Sequence, residues 1–458
     1  MPKKTAAAIL MFAAIVFGLQ YVPAGFKLKL ERYDVARAVE FRPPGLPVAT
    51  ATTATRHVLV TLPSNGHNGP NTIADPKVLI DPNGTLNTFY QALWRTESKM
   101  PGAITRVLHY GDSPVTADSI TADARSSLQQ RFGDAGHGFV LIAKPWAWYG
   151  HRGIRLKARG WRIEAASQSR AHDGLHGLGG VSFTGGPSAW STIELPDDQH
   201  TSMEVLYERQ PGGGTFAVTT ETASLGEVQT AADSKIPGFA SFKLPPETSE
   251  VTLKVMSGSV RVFGWSFEKE KPGIVYDSLG VNGGQVQMAL RYFEASQWAA
   301  EMQHEHPDLV VINYGTNESV FPDYIERYYE KELRSLVERV RASLPHVSLL
   351  IMSPMDRGVR DSGGQIVTPD VLPRIVEIQA KVAMDMGCAF FNTFEAMGGA
   401  GTMAKWYTSQ PRMVSSDFMH PLPGGAKIVG QLLSTAICDG FEKFKKSHML
   451  AGSNGHDL

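Results

Sequence analysis

The distribution of apolar and polar positions divides the chain into distinct textures. The stretch "GTLNTFYQALWRTES" spaces its apolar residues as a helix, and "ITRVLHYGDS" follows as an apolar strand that breaks at Gly111-Asp112-Ser113. From about 141 to 270, short β-like runs such as "GWRIEAA", "SMEVLYER", "TFAVTT", "EVTLKVMS" and "VRVFGWSFE" alternate with Gly, Pro, Asp and Ser turns. That spacing predicts an all-β sandwich or jelly roll. After 270, apolar strands ("PDLVVINYG", "VSLLIMSP", "CAFFNTF") alternate with amphipathic helices ("FPDYIERYYEKELRSLVERVRASLP", "PRIVEIQAKVAMDMG", "GGAKIVGQLLSTAICDGFEKFKKS"). Continuous apolar strands separated by helices predict a parallel sheet covered on both faces. The expected architecture is therefore one α/β domain, residues 95–140 and 271–446, interrupted by a β-rich insertion at 141–270 and ending in a flexible tail at 447–458.

The N-terminal texture is different again. Lys3 and Lys4 precede an apolar run from Thr5 to about Val22, the order of an export signal or a short membrane anchor in residues 1–25. Residues 26–94 mix Pro, Thr, Ala and Asn with little periodicity and read as a spacer, with one strand at "HVLVTL". This places the folded part outside the cytoplasm, in the periplasm or beyond, with anchoring through the N-terminus left open.

Composition narrows the functional classes. At 458 residues the chain is long enough for more than one structured unit, and 42% hydrophobic with 19% charged residues is globular. A formal net charge of −1 removes the electrostatic argument for nucleic acid. Two cysteines, Cys388 and Cys438, form either one bridge or two thiols, and the absence of Cys-x-x-Cys spacing argues against zinc.

In parallel sheets, ligands bind where strands end and helices begin. The ends here carry Gly111-Asp112-Ser113, then "YDSLGVNGGQ" with Gly280, Gly283 and Gly284, then Tyr314-Gly315-Thr316-Asn317-Glu318, and finally "SSDFMHPLPGG" with Asp417 and His420. A serine is a poor nucleophile at neutral pH without a base in hydrogen-bond reach, and histidine suits that task. An aspartate can orient the imidazole. The N–H of Ser113, a glycine N–H and the Asn317 amide would supply an oxyanion hole.

These blocks resemble the SGNH, or GDSL-type, hydrolases, and are most similar to bacterial peptidoglycan O-acetylesterases, which share "YDSLG-N-G" and "YGTNE". The resemblance covers about 95–140 and 270–445. It implies a flavodoxin-like SGNH-hydrolase domain with a carbohydrate-binding-module-like β insertion between the serine and glycine blocks. It also implies Ser113, Asp417 and His420 as catalytic residues, and Ser113, Gly283 and Asn317 as oxyanion donors, with Gly280 and Gly284 as alternatives to Gly283. The pattern departs from the family at Pro114, where the leucine of "GDSL" is missing, and at Glu318, where many members have Asp.

The resulting expectation is an esterase that removes O-acetyl groups from a polysaccharide, peptidoglycan by resemblance, with no metal or organic cofactor. An O-acetyltransferase on the same site and a non-catalytic glycan-binding protein are the alternatives. Asp112 is expected to brace its loop. Trp146, Trp148, Tyr149, His151 and Arg152 follow the first helix, where aromatics either stack on a sugar or fill the core. "EMQHEHPD", with Glu301, His304, Glu305 and His306, reads as a solvated helix end in preference to a metal site. Asp356 and Arg357 sit at another strand end, with a pocket-lining role left open.

Overall fold

The computed structural model describes residues 78–453 apart from residue 169. The expected export segment, the strand at "HVLVTL" and the spacer up to residue 77 lie outside the described residues. Among the described residues no helix is long and apolar enough to cross a membrane.

The chain enters through a two-residue strand, β1 (Leu79–Ile80), and α1 (Asn87–Glu97), so the fold begins before the expected end of the spacer at 94. Then come β2 (Ile104–Gly111), the short α2 (Ser113–Thr116) and α3 (Ser119–Phe132). The β-rich tract contributes β3 (Gly136–Val140), β4 (Arg155–Ala165), β5 (Val181–Glu194), β6 (Ser202–Arg209), β7 (Thr215–Thr220), β8 (Ser224–Gln229), β9 (Ile236–Lys243), β10 (Glu250–Ser257) and β11 (Val260–Glu268). The α/β alternation resumes with β12 (Gly273–Gly280), α4 (Val286–Arg291), α5 (Ala295–His304) and β13 (Leu309–Asn313). The long helix expected after β13 carries a π-helical turn at Ile325–Tyr329 before α6 (Glu330–Ser343). Next are β14 (Ser348–Met352), a small hairpin of β15 (Val359–Arg360) and β16 (Ile366–Val367), α7 (Val371–Asp385), β17 (Ala389–Phe391) and α8 (Pro423–Ser453). α8 extends into the stretch expected to be a flexible tail.

The first sheet has the order β1-β17-β14-β13-β2-β12. β12, β2, β13, β14 and β17 are parallel, but β1 pairs antiparallel with β17, so the sheet is mixed rather than all parallel. A two-residue edge strand is too short to show a period. Both faces are covered, as the unbroken apolar strands require. Leu108, Tyr110, Val310, Ile312, Leu349, Ile351 and Phe390 enter one core, which α5, α6 and α7 line with Trp298, Leu333, Leu336 and Ile375. Val107, Val311, Leu350, Met352 and Phe391 point to the other, against Phe89 and Leu93 of α1, Leu128 of α3 and Val429, Leu433 and Ile437 of α8.

The second sheet is antiparallel, in the order β8-β7-β10-β5-β11-β6-β9, with β4 along β5 and β3 against β11. It forms the antiparallel β insertion expected between the serine and glycine blocks, and its strands are hydrogen-bonded in one continuous series. The series is joined by β5, whose Val181–Glu194 span reaches from β11 at Gly185 to β10 at Glu194. Both sheets belong to one compact unit, joined by specific polar contacts. Asp277 of β12 accepts from the N–H of Phe139 in β3 at 2.8 Å, and Arg106 of β2 grips Glu268 of β11 at 2.7 and 2.8 Å.

The end of α5 is not the solvated segment its charges suggested. Glu301 and Glu305 are buried, Glu301 accepts from the N–H of Leu178, and His304 pairs with Glu204 at 2.6 Å while stacking on Phe239 at 3.6 Å. These residues are the seam between α5 and the β-rich tract. Cys388 and Cys438 are both free thiols.

Between α2 and α3 the backbone turns through Asp118 at φ +50°. Its buried carboxylate receives Arg125 Nη1 at 3.0 Å and Nη2 at 2.6 Å, Thr121 Oγ1 at 2.7 Å and the N–H of Arg152 at 2.9 Å. Burial opposes its charge, but Arg125 and His151 outweigh this and hold the carboxyl well below its usual range. Removing one member of such a pair strands the other, at a typical cost of about 3–5 kcal/mol. Arg125→Met should therefore destabilise the protein by about that amount, read as a fall in the urea midpoint with little change in slope.

Candidate active site

The site is built at the C-terminal edge of the parallel strands. β2 ends at Gly111, whose Cα partners are Gly280 of β12 and Asn313 of β13. The chain then passes through Asp112 in an extended conformation and starts α2 at Ser113. α2 lies directly on the strand ends. A Cβ on Gly280 would fall 2.0 Å from the nitrogen of Thr116, and one on Gly111 would fall 2.4 Å from Cγ2 of Val115. Only glycine permits that approach. Ser278 of β12 fastens the arrangement by donating to the carbonyl of Val115 at 2.7 Å.

Ser113 is nearly buried, and its Oγ lies 2.8 Å from Nε2 of His420. Nδ1 of His420 is 2.6 Å from Oδ2 of Asp417. The three side chains that the sequence placed at distant strand ends thus form one hydrogen-bonded series. Asp417 and His420 share a tight turn in which Phe418 adopts φ +60° and the N–H of Ser415 donates to the carbonyl of His420 at 2.9 Å. The other oxygen of Asp417 accepts from the Ser415 hydroxyl and from the N–H groups of Met419 (3.0 Å) and His420 (3.1 Å). Partial burial would raise this carboxyl, but those donors and the imidazole hold it at about 2. It is therefore a fixed anion beside Nδ1, which orients the ring with Nε2 toward Ser113.

The three candidate glycines have different surroundings. Gly280 is inside β12 and serves the close approach of α2. The N–H of Gly284 is engaged by the carbonyl of Val281 at 2.8 Å. Gly283 turns at φ +71°, nothing lies within 4 Å of where its Cβ would be, and its N–H has no protein acceptor among the described residues. Nδ2 of Asn317 donates to the carbonyl of Gly284 at 2.9 Å, which ties the glycine loop to the loop after β13. A primary amide has two N–H donors, so one remains for a ligand. Ser113 is the first residue of α2, where a helix N–H has no intrahelical acceptor.

Glu318, noted in the sequence only as a departure, holds these loops together. It is fully buried and accepts from the N–H of Val286 at 2.7 Å and of Gly315 at 3.0 Å, and burial pushes its carboxyl up to about 7. The signal for this was its place in "YGTNE", but no spacing rule identifies a partner more than thirty residues upstream. Of the aromatics after α3, Trp146 and Tyr149 are core residues. His151 is buried against His137 at 2.5 Å, and burial pushes it down to about 4. Arg152 pairs with Asp123. Among these aromatic side chains Trp148 alone is exposed, and its Nε1 donates to Oδ1 of Asn282, the neighbour of Gly283, at 3.2 Å. Asp356 is a brace, accepting from Thr368 Oγ1 at 2.7 Å and from the N–H of Met403 at 2.8 Å.

An α/β sheet that hydrogen-bonds a serine, a histidine and an aspartate in series at its C-terminal edge has the arrangement of a serine hydrolase. Residues 259–428 match the GDSL-like lipase/acylhydrolase family. The match begins after most of the β-rich tract, which separates Ser113 in sequence from the other blocks. The solved structure of a peptidoglycan O-acetylesterase superposes on 80% of this chain and 99% of its own with a TM-score of 0.69, at 21% identity, which establishes the shared fold. A putative GDSL-like lipase from Parabacteroides merdae (18% identity, 37% of this chain and 74% of that one, TM-score 0.28) is a more distant likeness. An acetyl xylan esterase is similarly distant (15% identity, 36% and 80%, TM-score 0.27). No curated protein sequence matches.

Asp112 gives the site a measurable pH signature. Burial pushes its carboxyl from 3.8 up to about 6, against the opposing influence of Thr316 and His420. Between these values the folded protein keeps a proton that the unfolded chain has released, so stability falls as pH rises through the window. The loss at neutral pH is about 3 kcal/mol. Asp112→Asn removes the titration. Its unfolding free energy relative to wild type should therefore rise between pH 4 and pH 7 by about that amount in parallel denaturation series.

Proposed function

We propose that this protein is an exported serine esterase that removes O-acetyl groups from a cell-envelope polysaccharide, peptidoglycan being the substrate. The observation that carries this reading is the series Ser113–His420–Asp417, with links of 2.8 and 2.6 Å. His420 Nε2 takes the Ser113 proton as Oγ attacks the acetyl carbonyl. The oxyanion is received by the N–H groups of Ser113 and Gly283 and by the free amide hydrogen of Asn317. His420 then protonates the departing sugar hydroxyl, leaving acetyl-Ser113. A water deprotonated by His420 releases acetate and restores the hydroxyl. Asp417 stabilises the imidazolium in both halves.

A glycan as acyl carrier is supported by the exposed indole of Trp148 beside the glycine loop, a flat apolar surface with its polar edge already bonded. Export rests on Lys3, Lys4 and the apolar run behind them. The choice of peptidoglycan draws on the likeness to the peptidoglycan O-acetylesterase.

Acetate release from O-acetylated peptidoglycan tests the reading. Ser113→Ala should lower turnover roughly a thousandfold or more while leaving the fold intact by circular dichroism. Equal release by both proteins would remove Ser113 from the chemistry. Acetyl groups recovered on an added sugar instead of as free acetate would identify a transferase.

A further inference from the structure

Four lysines or arginines are buried among the described residues: Arg125, Arg261, Lys269 and Arg357. Three have carboxylate partners. Arg125 holds Asp118, Arg261 holds Asp173 with Glu164 at 4.0 Å, and Lys269 holds Asp134 and Asp197. Arg357 has none. It is 8% exposed, Nη2 donates to the carbonyl of Ser319 at 3.2 Å, Nε is buried without an acceptor, and no ion pair forms. Its sequence neighbour Asp356 is committed to Thr368 and Met403. Among the other acids of this edge, Glu318 is committed to the N–H groups of Val286 and Gly315, and Asp417 to Ser415 and His420. Burial lowers the pKa of Arg357, and no neighbouring charge offsets this.

Its position gives the unpaired charge a meaning. Arg357 leaves the loop after β14 at the same edge as the site. The next residue, Gly358, donates to the carbonyl of Phe418, two residues before His420. Its guanidinium meets Ser319, two residues after Asn317. It therefore bridges the two loops that carry His420 and Asn317. A dehydrated guanidinium left with one carbonyl is costly unless a ligand supplies the missing anion, and its planar fork fits a carboxylate with two parallel bonds.

We propose that Arg357 binds a carboxylate carried by the substrate, so that the acetylated glycan accepted here is an acidic one. This rests on the esterase reading and adds the substrate class to it. The carboxylate binds Arg357 while the acetyl group on the same glycan reaches Ser113, and a neutral glycan leaves the guanidinium unpaired.

The test uses the full-length protein and matched substrates: O-acetylated peptidoglycan, and the same material with its carboxylates converted to methyl amides by carbodiimide coupling. Wild type should show kcat/KM at least tenfold higher on the carboxylate form, with the difference shrinking as salt is added, and Arg357→Gln should abolish that ratio. Arg357→Lys keeps the charge and should retain part of it. A measurement needing no variant is inhibition of 4-nitrophenyl acetate hydrolysis by glucuronate and by glucuronamide. Stronger inhibition by glucuronate places the recognised carboxylate on a sugar. Equal inhibition by the two, alongside a surviving ratio on peptidoglycan, places it on the peptide. Equal kcat/KM on both peptidoglycans, or an equal fall on both in Arg357→Gln, would overturn the proposal. Failure of wild type to hydrolyse any acetyl ester, including 4-nitrophenyl acetate, would instead defeat the esterase reading.

Discussion

The reactive edge depends on how closely α2 approaches the ends of β2 and β12. Gly111 and Gly280 are Cα partners in the parallel register, and neither has room for a side chain beneath the short helix that begins at Ser113. Because the register also aligns Gly111 with Asn313, the loop after β13 emerges beside the serine. Ser278 completes the attachment through the carbonyl of Val115. The motif "YDSLG" is accounted for by these contacts. Asp277 reaches β3, Ser278 holds α2, and Gly280 makes the space into which α2 settles.

Buried carboxylates do a second kind of work at this edge. Asp277 accepts the N–H of Phe139 in β3, Glu318 accepts those of Val286 and Gly315, and burial raises both carboxyls to about 7. A buried acid that accepts such bonds acts as a fixed brace, since its alternative is an unsatisfied polar group in a dry interior. Asp417 differs. Its side chain is half exposed, it receives donors from its own turn, and it stays ionised. The contrast separates the groups that hold loops in place from the one that can stabilise a developing imidazolium.

The α/β alternation, the β-rich tract and the four strand-end blocks were legible in the sequence because each leaves a local mark: an apolar run, a turn cluster, a break at glycine. Taken singly, a Gly-Asp-Ser turn and an Asp-x-x-His pair are ordinary; Ser113, Asp417 and His420 stood out because they occur together, in order, in blocks that resemble the SGNH hydrolases. Gly283 could not be told from Gly280 and Gly284 by sequence, since the difference lies in where each N–H points and what each missing Cβ would meet. The mixed sheet was hidden by the two residues of β1. The acidic end of α5 looked like surface because its charges are neutralised or buried by residues of β6 and β9 and the loop at Leu178, none of which its own periodicity reveals.

The site also has an asymmetry between rigidity and access. Ser113 and its supports are buried, whereas the side chains of His420 and Asp417 are 44% and 50% exposed. A small-molecule esterase commonly encloses its reactants, because excluding water strengthens every polar contact around the reacting carbonyl. Here the exposed base lies beside the serine, and Trp148 stands at the rim of the adjoining glycine loop. That geometry admits an acetyl group projecting from a chain too large to be engulfed. Under the proposed polysaccharide reading, a polymer lying across the open edge would itself displace water from His420. The cost of an open site is weak purchase on any single sugar. An unpaired guanidinium between the two loops is the kind of contact that compensates, because one charged, two-pronged bond orients a flexible chain that apolar contact alone would let slide.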